Sequence, residues 1–219
     1  MIFDFGAWVF GLLGKVENTQ ETLHQLLHDR CLYPEHAAEI DAQIYETFSA
    51  TRAVMVMDMS GFSRTTVRYG VVHFLTMIQR MNELARPCVE EQGGMVVKFL
   101  ADNVFAVFPE VIPAMRAAHD LAQCLRDASE ALPPEMKLAG KFGIGYGEIL
   151  LIENQDIFGS EVNLASKLGE DIALPNEILL TEAARTQLSE YQPGLESRAL
   201  LISGLKLRYY RCTEGIWSV

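Results

Sequence analysis

Apolar residues fall into short blocks along this chain, and their spacing changes from one stretch to the next. Ala53–Met57, the run from Gly93-Gly94 through Met95-Val96-Val97-Lys98-Phe99-Leu100 to Ala101, and Val104–Phe108 are short, rich in β-branched residues and bounded by turn formers, which predicts three buried strands. Between the first two, Val71, Phe74, Leu75, Ile78 and Met81 recur at helical spacing, with Ser63 as a candidate N-cap and Pro87-Cys88 as a kink or stop. A further helix is expected from Val111 to about Ala131, with Met115, Ala118, Leu121, Ala122 and Leu125 inward and Pro133-Pro134 ending it. Lys137 to Ile152 reads as two apolar strand-like runs around Gly143-Ile144-Gly145-Tyr146-Gly147. Then come a helix from about Ser160, a strand Ile178–Leu180, a helix Glu182–Leu188 and a final hairpin Arg198–Cys212. Upstream, Asn18–Arg30 has helical spacing with Leu23, Leu26 and Leu27 on one side. A second helix runs from Pro34 to about Phe48, with Ala37, Ile40, Ile44 and Tyr45 inward.

The order strand, helix, hairpin, helix, strand suits an α+β fold with a ferredoxin-like core sheet and helices on one sheet face. Residues 1–50 are expected to form an accessory helical and apolar segment, for packing, dimerisation or regulation, and residues 51–219 the main domain. The apolar stretch Met1–Gly14 is shorter than the roughly 20 residues that a spanning helix needs. It lacks the basic start and cleavage pattern of a signal peptide. Phe3, Phe5, Trp8, Val9 and Phe10 are expected to fold back on the domain or dimer; contact with a membrane surface or a partner is the alternative.

Composition narrows the classes. The 219 residues are 49% hydrophobic, enough for a real core and against disorder. A net charge of −11 argues against nucleic acid as partner, which requires a basic surface to displace counterions. It leaves room for a nucleoside triphosphate, because a local pocket with metal ions can be positive on an acidic protein. Cys31, Cys88, Cys124 and Cys212 are scattered without zinc or disulfide spacing, so reduced thiols and a cytoplasmic location are expected. His24 and His28 share a helix face, but no third metal ligand accompanies them. The glycines at 143, 145 and 147 lie within strands rather than opening a helix, so they do not make a dinucleotide-binding turn.

The chemistry centres on two aspartates. Asp58 follows the first strand and precedes Met-Ser-Gly-Phe-Ser; Asp102 sits in the turn between the second and third strands. If the first strand lies beside that hairpin, both carboxylates reach one end of the sheet. Such a pair suits a hard cation such as magnesium, which takes oxygen ligands and keeps positions for phosphate. The plainer roles are a helix cap for Asp58 and turn support for Asp102.

Asp58-Met-Ser-Gly-Phe-Ser, Lys98-Phe-Leu-Ala-Asp102 and Asp156-Ile-Phe-Gly159 through Asn163 to Lys167 resemble, in order and spacing, the class III nucleotidyl cyclase catalytic domain. The resemblance covers roughly Arg52 to Cys212. It implies that Asp58 and Asp102 hold two divalent ions per site, Mg2+ or Mn2+, and that the ribose 3′-hydroxyl attacks the α-phosphate as pyrophosphate leaves. It implies that Lys98 and Asp156 select adenine, one donating and one accepting, and hence that the substrate is ATP. Asn163 matches the residue that orients the ribose. The family's site forms between two subunits; this chain carries both sets of residues, so a homodimer with two equivalent sites is implied.

Two positions depart from the family. Lys167 stands where an arginine usually stabilises charge on the transferring phosphate, and it lacks the planar guanidinium fork. Ser203, before Gly204, stands where a phosphate-binding lysine is usual; Lys206 and Arg208 lie near in a different register. The expected function is an adenylate cyclase, ATP to 3′,5′-cyclic AMP and pyrophosphate. The alternative is a weak or inactive cyclase-homology module that binds nucleotide or a partner in signalling.

Overall fold

A computed structural model describes residues 16–60, 69–130, 132, 137–188, 194–202 and 205–213. The expectations for Met1–Gly14, Ser63, Pro133-Pro134 and Ser203 lie outside those residues. The chain divides into two compact units, Met1–Ser49 and Ala50–Val219.

In the first unit, α1 (Gln20–Leu32) starts where the Thr19 hydroxyl accepts the Thr22 N–H at 3.1 Å. A 3-10 turn (Pro34–His36) leads into α2 (Ala37–Phe48). The two helices pack together and bury Leu23, Leu26, Ile40, Ile44 and Phe48, while the Arg30 guanidinium grips both oxygens of Asp41 across the outer edge. Leu27 and Tyr45, expected inward, are exposed; Phe48 takes the buried position at the end of the α2 stripe.

The second unit is built on one mixed sheet. Its strands are β1 (Ser49–Met59), β2 (Met95–Leu100), β3 (Asn103–Phe108), β4 (Gly140–Ile152), β5 (Asp156–Phe158), β6 (Ile178–Thr181), β7 (Leu195–Ile202) and β8 (Leu205–Cys212). They lie in the order β2-β3-β1-β4-β6-β8-β7, with β5 paired to β4. The first four positions of that order, with α3 (Val71–Glu91) and α4 (Val111–Ala128) as connections, are the ferredoxin-like core. β1 is central, and Ala53–Met57 are shielded from solvent on both faces, which is why this block reads as a continuous apolar run.

The faces separate by strand alternation. Met55, Met57 and Met59 join Phe108, Phe142, Leu121 and Leu125 under α3 and α4. Val54, Val56, Phe105, Val107 and Ile149 point the other way, toward β5 and α5 (Ser160–Ser166). Three details differ from expectation. α3 runs through Pro87 to Glu91, its last turn drawn in by the buried Cys88 and Val89. Its inner stripe is Met77, Met81, Ala85 and Cys88, flanked by Phe74 and Ile78, whereas Val71 and Leu75 are exposed. The stretch read as two strand-like runs forms a single strand, β4.

The Sγ atoms of Cys88 and Cys124 lie 3.7 Å apart between α3 and α4, a proximity that their sequence separation concealed. All four cysteines are free thiols, and burial pushes Cys88 and Cys212 up to about 12.

Candidate functional site

The glycines of β4 set the site. Lys141, Gly143, Gly145 and Gly147 share the face turned away from Phe142 and Ile144. A Cβ at Gly143 would stand 2.0 Å from the Ala165 carbonyl oxygen, and one at Gly145 would stand 2.7 Å from the Glu161 carbonyl oxygen. α5 therefore lies directly on the β4 backbone. Glu161 fixes it there, accepting the Tyr146 N–H at 3.1 Å and the Thr181 hydroxyl at 2.7 Å. After Ser166 the helix widens into a π-helical turn, Lys167–Ile172. That turn is seated by Gly169, whose absent Cβ would be 2.8 Å from the Val56 carbonyl oxygen. π-turns of this kind are frequent at functional sites.

Asp58 lies on the same face as Val54 and Val56, two positions beyond the latter, opposite Asn103 in the β1–β3 ladder. The hairpin turn is locked to β1 by the Met59 N–H donating to the Asp102 carbonyl at 3.1 Å. The π-turn adds Glu170 and Asp171 to this sheet end. Burial holds the Asp58 carboxyl above its ordinary range, against the lowering effect of Lys141, and the charges of Asp102 and Asp171 push it further up. Burial also raises Glu170, helped by Asp58 and Asp171. Lys141 ion-pairs with Asp58 and donates to the Glu170 carbonyl oxygen at 2.6 Å.

The donor chemistry fits a hard divalent ion. The groups are carboxylate oxygens, and Asn103 Oδ1 is buried beside them without a hydrogen-bond partner. Among the described residues no three His, Cys, Asp or Glu side chains converge as a ready-made cage. A pair of carboxylates completed by water and substrate phosphate is the arrangement that magnesium commonly takes.

Lys98 and Asp156 meet on the same face. The β2–β3 register slips at Val97, so Lys98 pairs with Phe105 instead of continuing the alternation from Val96. The bulge turns Lys98 away from the methionine core and over the Phe105 ring, 5.0 Å from its centroid. There its ammonium lies 2.5 Å from Asp156 Oδ1, both side chains about a quarter exposed (28% and 26%). The same oxygen accepts the Ile157 N–H at 2.8 Å, which fixes the carboxylate at the start of β5.

Asn163 is exposed on α5, and Lys167 lies one turn on, its N–H bonded to the Asn163 carbonyl. The Lys167 ammonium is ion-paired with Asp171. Within one chain, then, Asp58 and Asp102 gather at one sheet end and Lys98 meets Asp156. Lys167 is tied to the turn that carries Glu170. Sequence reasoning missed Lys141, Asn103, Glu170 and Asp171. Lys141 had one visible signal, a cation opening a strand whose same-face positions are glycine.

No protein-family model matches the chain. It is 28% identical over 142 residues to a protein named putative adenylate cyclase 3 from Rhizobium meliloti, covering 65% of this chain and 23% of that protein. The chain thus spans about a quarter of that relative's length. Among solved structures it is similar to an adenylate/guanylate cyclase/hydrolase from Silicibacter pomeroyi, with 26% identity and a TM-score of 0.57, covering 75% of this chain and 97% of that one. It also superposes on the adenylyl cyclase CyaB from P. aeruginosa with a TM-score of 0.62 and 18% identity, over 76% and 96% of the two chains, a likeness of fold. Three motifs in register, a ferredoxin-like sheet with the carboxylates at one end, and these relatives converge: the chain has the fold of the class III nucleotidyl cyclase catalytic domain and is similar to members of that family.

Proposed function

We propose that this chain is an adenylate cyclase, converting ATP to 3′,5′-cyclic AMP and pyrophosphate at sites shared across a homodimer. The observation that carries the reading is the Lys98–Asp156 pair, a donor and an acceptor held side by side on the face that also bears Asp58. Adenine offers a ring nitrogen to accept from Lys98 and an exocyclic amino group to donate to Asp156; guanine presents the reverse pattern. Asp58 and Asp102 would hold two divalent ions, Mg2+ or Mn2+, whose bound chemistry is to acidify the ribose 3′-hydroxyl and to offset charge on the phosphates. Asn163 orients the ribose and Lys167 supplies positive charge toward the transferring phosphate. Because one chain carries both residue sets, a symmetric dimer would form two equivalent sites.

One observation favours a second reading, a cyclase-homology module that binds nucleotide without turning it over. Lys167, already a lysine where an arginine is usual, has its ammonium engaged by Asp171 on its own turn. The test is turnover of ATP and of GTP with Mg2+ and with Mn2+, reading cyclic product by mass beside an Asp58→Ala control. Cyclic AMP from ATP that falls by at least about a hundredfold in the control is expected. Nucleotide binding with no cyclic product would establish the module instead, and a preference for GTP would sink the base assignment.

A further inference from the structure

Lys141 is held more closely than a strand-end lysine requires. Its ammonium touches an Asp58 carboxylate oxygen and the Glu170 carbonyl, and the side chain is 16% exposed. Asp102 and Asp171 are close enough to raise Asp58 by their charge, and Lys141 is close enough to lower Glu170, so this cation offsets charge at a crowded acidic sheet end. The bare β4 face beyond it, Gly143 and Gly145, lets α5 and the π-turn come down and close the oxygens around it. An ammonium is a compact point charge with donors alone, and it satisfies the oxygens that a hydrated divalent ion would seek. Served together, the two cations would share one carboxylate. A divalent ion ligated by Asp58 at about 2.1 Å would stand within a few ångströms of the ammonium, where like charges repel.

We infer that Lys141 is a tethered counter-cation that keeps Asp58 in position and gives it up to the divalent ion, so that loading the site is an exchange of one cation for another. This rests on the assignment of Asp58 as a metal ligand. It makes Lys141 a positioning residue that sets how much metal the site demands.

The experiment is a titration of the full chain with Mn2+ alone, following free ion by its paramagnetic resonance signal. Wild type is compared with Lys141→Met, Lys141→Arg and Asp58→Asn. Removal of the charge in Lys141→Met is expected to tighten Mn2+ binding about tenfold. Lys141→Arg, which keeps the charge, gains nothing, and Asp58→Asn loses the site. Unchanged or weaker binding by Lys141→Met, with Asp58→Asn still abolishing it, overturns the exchange and leaves the cyclase reading standing. Mn2+ binding that survives Asp58→Asn overturns both. Thermal melts cover the case in which Lys141→Met folds poorly. Its deficit should shrink as Mn2+ is added, because the ion replaces the missing charge. A lysine with a purely supporting role would leave the deficit the same with and without Mn2+, and that result also overturns the inference.

Discussion

The two faces of the sheet are packed by opposite means. Under α3 and α4 the space is filled with large side chains, among them Met55, Met57, Met81, Phe108 and Phe142, which are all but inaccessible to solvent. On the other face α5 and the π-turn sit against glycine, with backbone meeting backbone at Gly143, Gly145 and Gly169. One face is a volume problem and the other a clearance problem. The polar groups of the candidate site belong to the second, where close approach brings Glu170 and Asp171 to Asp58 and the β2 bulge delivers Lys98 to Asp156. The same strands serve both, because alternate residues of β1 and β4 look opposite ways.

The two faces should fail differently when each is injured separately. Phe108→Ala should cost about 3–5 kcal/mol in urea unfolding, through lost burial and the cavity left behind. In the fraction that remains folded it should leave Mn2+ binding intact. Gly143→Ala should cost about 1–3 kcal/mol by forcing α5 off β4. Although the smaller lesion, it should also weaken Mn2+ binding, since the π-turn moves with the helix. If Phe108→Ala disturbs the metal site as much as Gly143→Ala does, the faces are not separable.

A smaller effect sharpens the electrostatic side. The Glu170 carboxyl is held above its ordinary 4.5, first by burial and then by Asp58 and Asp171. The folded state therefore keeps its proton in a pH window where the unfolded chain has lost it. This group's contribution to stability falls as pH rises from 4.5 through the raised folded value. Glu170→Gln should raise the melting temperature by about 1–3 °C near neutral pH with a chelator present, and the gain should fade as pH falls to the acid end of that window. A loss at neutral pH would mean that its carboxylate is a net support.

Much of the helical face was legible in the sequence. β1, the β2–β3 hairpin and α4 follow from the apolar blocks and from the helical spacing of Met115, Ala118, Leu121, Ala122 and Leu125, all of them buried. α3 misled because two apolar stripes overlap on it, and Val71 and Leu75 belong to the stripe that stays exposed. The carboxylate pair was visible through its motifs, and the structure brings Asp58 and the Asp102 turn together. The rest of the site was not visible, for local reasons. Alternation carried forward from Val96 would turn Lys98 into the methionine core, and only the register slip reverses it. Glu170 and Asp171 look like an exposed helix surface until the π-turn redirects them. Lys141 looks like a solvated strand end until the glycines beside it are seen to bring α5 down.

The slip at Val97 also bears on which changes of length the hairpin tolerates. Loss of Val97 itself would straighten the ladder with Lys98 still opposite Phe105. Loss of one residue between Lys98 and Asp102 would send Lys98 to the opposite side of the sheet. As copies of this chain diverge, the hairpin can shed a codon at one place without turning Lys98 over, and from there to the turn its length is fixed.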